Sequence, residues 1–134
     1  MIGSISTLFK TMTRGKYVEI ERPASDREAL YVRCADGAER RPDQLSTGTR
    51  EQLYLAIRLA YVLHYCRQTE PLPIIMDDVL VNFDADRSRA TLEALRDVSR
   101  EVQVVFFTCH SFFVDLIREV FPEVVPVLLQ NAKS

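Results

Sequence analysis

The chain has 134 residues, of which 47% are hydrophobic and 27% charged, with only 4 Gly and 6 Pro. That is about one domain of ordinary globular composition, and it excludes a disordered tail, a collagen-like chain and a low-complexity chain. Lys+Arg 17 against Asp+Glu 19 leaves a net charge of −2 and a pI near 5.7, which argues against a whole-surface grip on nucleic acid but leaves room for a local basic patch.

Residues 2–13 carry Ile5, Leu8, Phe9 and Met12 at helical spacing and predict a short amphipathic helix. Two β-like stretches follow, residues 17–21 and 30–34, separated by Pro23, Ser25 and Asp26. Asp36-Gly37 is a turn signal, so a small antiparallel sheet is expected. The basic stretch from 33 to 50 is broken by Asp36, Glu39 and Asp43, as in a solvated hairpin and loop.

From 50 to 67 the pattern is a helix that is apolar nearly all round, hence mostly buried, with a Thr49-x-x-Gln52 capping box at its start. His64, in the middle of it, reads as a structural histidine. Pro71 and Pro73 end the helix, and Ile74-Ile75-Met76 predicts a fully buried strand running into Asp77-Asp78. Residues 84–100 form a second amphipathic helix, with Arg87, Arg89, Glu93, Arg96 and Asp97 facing water. Residues 102–107 form a second buried strand, and 112–120 a third helix closed by Pro122. Residues 124–129 form a last strand, at an edge because of Pro126. Alternating strands and helices imply an α/β fold with helices packed on a parallel sheet.

Cys34, Cys66 and Cys109 are far apart and odd in number, with no Cys-x-x-Cys pair. Their spacing indicates neither a zinc site nor a disulfide framework, and reduced thiols in a cytoplasmic protein are the expectation. The N-terminus lacks the order of a signal peptide, and no apolar run approaches the roughly 18 residues that span a bilayer.

Four short pieces carry chemistry. Ser46-Thr47-Gly48-Thr49 opens a helix, whose free N–H groups and dipole make an anion site, although an ordinary capped start uses the same residues. Asp77-Asp78 ends a buried strand, where carboxylates are costly unless paired or ion-bound; they fit Mg²⁺ work or exposure just past the strand. Asn82-Phe83-Asp84 places Asp84 as a helix cap. Thr108-Cys109-His110 ends the next strand, where the histidine can reach a phosphate or water, or can be structural.

In this order the pieces resemble the C-terminal lobe of an ABC-type ATPase head, specifically the SMC-like, RecF-like and especially YhaN-like ATPases. Residues 45–60 look like the signature region, 75–84 like the Walker B motif and D-loop, and 106–110 like the switch histidine. The resemblance implies ATP and Mg²⁺ as cofactors. Asp77 would hold Mg²⁺ through water, and Asp78 would position or activate the attacking water. Ser46, Gly48 and Thr49 would meet the γ-phosphate of nucleotide on an opposing head. Asn82 and Asp84 would lie across the dimer interface, and His110 would sense the γ-phosphate. Three departures stand out: Asp78 where Glu is commonest, Thr47 where a second Gly is common, and Thr49 where Gln or Glu is common.

The resemblance further implies that residues 1–14 end a coiled-coil arm, 15–44 form a β-hairpin region and 45–134 form the signature and Walker B subdomain. Such a head needs a P-loop, G-x-x-x-x-G-K-S/T. Gly15-Lys16 is followed by Tyr17 and has Lys10 at the first glycine position, so it does not qualify. The expected partners are therefore an N-terminal P-loop lobe and a second head, with DNA reached through the full assembly and no membrane. A whole head needs roughly twice this length, and because the P-loop is absent the chain alone is expected to be inactive. A non-catalytic module that docks to a partner ATPase is the alternative. A metal-dependent phosphohydrolase built on Asp77, Asp78 and His110 is a third reading.

Overall fold

The computed structural model describes residues 1–129 and contains two small sheets joined by packed helices. Helix α1 (Ile2–Met12) buries Ile5, Leu8, Phe9 and Met12, the stripe that the sequence spacing predicts. It ends in a left-handed turn at Arg14 and Gly15, where the Gly15 N–H donates to the Lys10 carbonyl at 2.8 Å. The Gly15-Lys16 pair is thus a helix-ending turn.

Strands β1 (Tyr17–Glu21), β2 (Tyr31–Cys34) and β3 (Glu39–Arg40) form an antiparallel sheet in that order. The β2–β3 turn forms at Asp36-Gly37, with Gly37 at φ +90° and the Cys34 N–H donating to the Ala38 carbonyl at 2.7 Å. A register shift between Tyr17 and Glu19 breaks the alternation of β1, so that Tyr17 and Ile20 are both buried with Val32 under α1, where Phe9 and Tyr17 stack with ring centroids 5.4 Å apart. Arg33 pairs with Glu19 and Glu21 on the exposed side of the sheet.

A short 3-10 turn (Pro42–Gln44) leads into α2 (Thr47–Gln68). The helix begins earlier than expected. Ser46 is its N-cap, with Oγ accepting from the Thr49 N–H at 3.3 Å. The Thr49-x-x-Gln52 box does not form, because Gln52 is needed in the core: its Nε2 donates to the Met12 carbonyl at 2.9 Å and to Thr91 Oγ1 at 3.3 Å. Nor is α2 buried all round. Leu53, Leu55, Ala56, Leu59, Ala60 and Leu63 face the core, while Tyr54, Arg58, Tyr61, His64 and Tyr65 face water. His64 is therefore a surface residue, 3.2 Å from the Gln68 side chain.

Strands β4 (Ile74–Asp77) and β5 (Val104–Phe107) pair in parallel around α3 (Ala85–Ser99), giving the expected βαβ order. Asp84 caps α3, accepting from the Arg87 N–H at 2.8 Å. The two strands are not fully buried. Met76 faces the core, but Ile75 is 68% exposed, because this two-stranded sheet is covered on one face only. Helix α4 (Ser111–Val120) covers α3 with Phe113, Leu116 and Val120 and stops before Pro122. The predicted last strand is absent. Residues 124–129 have no strand partner among the described residues, and Val125, Val127 and Leu128 are each 82% exposed. No described helix is long and apolar enough to cross a membrane.

Candidate functional site at the strand ends and the start of helix α2

Parallel pairing carries β4 and β5 to the same edge. Asp77 lies in register with Phe107, and the Asp78 N–H donates to the Phe107 carbonyl at 2.9 Å. Asp78 and the 108–110 segment therefore emerge side by side. The backbone bends sharply at Asp78, which adopts φ +49°, a left-handed conformation that Asp tolerates better than most residues. Two turns follow, with Val81 N–H donating to the Asp78 carbonyl and Phe83 N–H to the Leu80 carbonyl. Leu80 and Phe83 are buried, which pins the loop and leaves Asn82 and Asp84 on its outer side.

The Asp78 carboxylate is the centre of one cluster. Its Oδ2 accepts from the Cys109 thiol at 3.5 Å. The Thr108 hydroxyl, first among several contributors, holds its pKa below the ordinary carboxylate value. Asp78 in turn raises the Cys109 thiol, since a bond to an anion favours the protonated sulfur. Oδ1 is shut away from solvent with no hydrogen-bond partner among the described residues. His110 lies beside the pair, its ring edge-on to Phe113 at 5.7 Å. Ligand atoms of Asp78, Cys109 and His110 all lie within 4.8 Å of one another. Asp77 is exposed at the strand end.

The start of α2 is the centre of the second cluster, and Arg87 organises it. Its Nη2 is 3.4 Å from both Ser46 Oγ and Thr49 Oγ1, and its Nη1 is 3.6 Å from Asp84 Oδ2. Gly48 makes this possible, because a Cβ there would come within 2.3 Å of Arg87 Nη1. A guanidinium, the Ser46 hydroxyl and the free N–H groups of a helix start thus converge on one spot. The helix dipole opposes the cation, and an anion taking the place of the guanidinium over Gly48 would be attracted by the helix start.

The structure thus brings Asp78 to His110, and Ser46, Gly48 and Thr49 to Asp84. Arg87 appears in the sequence as one more water-facing residue of its helix. Its place one turn beyond the Asp84 cap is the available sign that it returns over the loop. Thr108 and Cys109 stand in the sequence only as neighbours of His110 at a strand end, with Cys109 expected to be a reduced thiol. Their contacts arise from the pairing of β4 with β5.

No protein-family model matches the chain. The uncharacterized protein YhaN of Bacillus subtilis is 37% identical over 117 residues, 86% of this chain. The chain spans only 12% of that relative's length. Among solved structures, a head from work on ATP-driven dimerization and DNA-stimulated activation of SMC ATPases aligns with a TM-score of 0.66 at 15% identity, over 97% of this chain and 77% of that one. The SMC head domain of Thermotoga maritima aligns at 0.63 and 15% identity, over 86% of this chain and 39% of that one. The Pyrococcus furiosus SMC head, bound to the C-terminal domain of ScpA, aligns at 0.59 and 13% identity, over 86% and 29%. The chain therefore has the fold of the C-terminal lobe of an SMC-type ATPase head and is kin in sequence to YhaN.

Proposed function

We propose that the chain is the C-terminal half of an ATP-hydrolysing SMC/RecF/YhaN-like head, and that it supplies the signature, Walker B and switch-histidine residues for ATP-dependent head engagement linked to DNA repair or chromosome maintenance. The observation that carries this reading is the convergence of Ser46, Gly48, Thr49 and Arg87 on one anion-favouring spot, on a fold shared with SMC heads.

The residues present fit nucleotide and magnesium. The space over Gly48 that Arg87 fills would admit a phosphate oxygen if the arginine swung aside, and Ser46 Oγ would then donate to it. Asp77, exposed at the end of β4, would be the carboxylate for Mg²⁺, through water. When bound, the cation neutralises charge that develops on the phosphates. Asp78 would accept a hydrogen bond from the attacking water. Asp78 is ionised at neutral pH, as an ordinary aspartate is, and its pKa, held below the ordinary value, suits it to orienting the water more than to taking its proton. His110 would donate to the γ-phosphate, while Asn82 and Asp84 would face the opposing head. Catalysis on these terms is positioning and electrostatics.

In this reading an N-terminal P-loop lobe, a second head and DNA are the partners, residues 1–14 end a coiled-coil arm, and residues 45–134 form the signature subdomain. Sedimentation of the chain mixed with a P-loop-bearing lobe of a YhaN-type protein tests the assembly. A larger species is expected with Mg²⁺ and ATP, and its loss with Ser46→Arg. Association indifferent to nucleotide would count against head engagement.

A further inference from the structure

We infer that Asp78, Cys109 and His110 form a binding site for a divalent transition metal of the Zn²⁺ class, with the Cys109 thiolate as its defining ligand. The three side chains offer carboxylate oxygen, sulfur and imidazole nitrogen, and their ligand atoms already lie within 4.8 Å of one another. This mixed set suits zinc and its neighbours. Magnesium prefers an octahedron of oxygens.

The geometry agrees with that chemistry. Bonds of about 2.3 Å to sulfur and about 2.0 Å to oxygen at a tetrahedral centre set the two ligands about 3.5 Å apart. The Cys109 Sγ to Asp78 Oδ2 separation is 3.5 Å. The pair is spaced for a metal in place of the thiol proton. His110 is exposed and at the N-cap of α4, where its side chain makes no capping hydrogen bond that would hold it away from the pair. Asp78 Oδ1 is buried without a donor, which leaves Oδ2, the oxygen that faces Cys109, as the atom that would bind the metal. Three protein ligands on an open edge leave a fourth position for water or a phosphate oxygen, as in reactive zinc sites.

Binding exchanges one proton for one metal: the S–H bond breaks, the S–metal bond forms, and the proton passes to solvent. No oxidant or reductant is involved. The site stands without reference to nucleotide. Only its consequence, that a metal there withdraws Asp78 and His110 from hydrolysis, rests on the function proposed above.

Titration of the full chain with Co²⁺, in nucleotide-free buffer, tests the site. The expected result is thiolate-to-cobalt charge-transfer absorption that saturates at one ion per chain, is bleached by Zn²⁺ and is indifferent to excess Mg²⁺. Cys109→Ser should abolish the band, Cys34→Ser should preserve it, and His110→Ala should weaken binding by roughly tenfold or more. No band, or a band that survives Cys109→Ser, would overturn the proposal. A second measurement needs no variant: Zn²⁺ should protect Cys109 of the native chain from iodoacetamide, and undiminished alkylation would be equally contrary. Because ATP is absent throughout, failure here would leave the ATPase reading untouched.

Discussion

The guanidinium of Arg87 lies across Gly48, with Nη1 2.3 Å from the point where a Gly48 Cβ would stand. Gly48 has no positive φ, so alanine is conformationally allowed there. The obstructing group is the far end of a flexible side chain. Gly48→Ala should therefore displace Arg87 at little cost to folding. The better helix propensity of alanine, up to about 1 kcal/mol, offsets the loss of half-exposed contacts of similar size. Urea unfolding should show a stability change within about 1 kcal/mol. A loss of several kcal/mol would mean that Arg87 is a structural clamp.

Gln52 should behave in the opposite way. It is 1% exposed and ties α1 to α3 through the Met12 carbonyl and Thr91. Gln52→Leu keeps most of the volume but removes the donor, leaving the Met12 carbonyl and the Thr91 hydroxyl short of a partner. A loss of about 2 kcal/mol is expected, read as a lower urea midpoint at unchanged m value.

The pH response of the strand-end cluster follows from its hydrogen bonds. The Asp78 carboxyl is depressed in the folded chain, chiefly by the Thr108 hydroxyl. Its contribution to stability is therefore present above the unfolded carboxyl value of about 4 and is lost as pH falls below it. Thr108→Val should move the Asp78 titration upward, as followed by carboxyl carbon chemical shifts. The Cys109 thiol is raised, with Asp78 as the first cause. Asp78→Asn should lower it, so that Cys109 is alkylated faster at pH 8 than in the native chain. An unchanged rate would remove Asp78 as the cause.

Much of the fold is legible in local pattern. The Ile5, Leu8, Phe9 and Met12 stripe, the Asp36-Gly37 turn and the Asp84 cap each rest on neighbouring residues, and each forms as expected. What escapes the sequence depends on partners far along the chain. Gln52 looks like a capping residue until α1 and α3 close on it. Residues 124–129 have the apolar character of a strand, but a strand needs a neighbour, and none pairs with them among the described residues. Ile75 reads as buried because its run is apolar, yet the side of the sheet it faces is bare. In the site, Asp78 and His110 could be nominated from their positions at strand ends. The Cys109 thiol and the Arg87 guanidinium required the register of β4 with β5 and the packing of α3 on α2.

The most direct measurement is phosphate release from Mg²⁺-ATP by the chain mixed with a P-loop-bearing lobe of a YhaN-type protein, in buffer freed of transition metals. Turnover is expected in the mixture and in neither component alone. Asp78→Asn should lower that turnover by about a hundredfold or more while ATP is still bound. Turnover in the mixture that is unchanged by Asp78→Asn would contradict the ATPase reading, and would mark the chain as a docking module with no part in the chemistry.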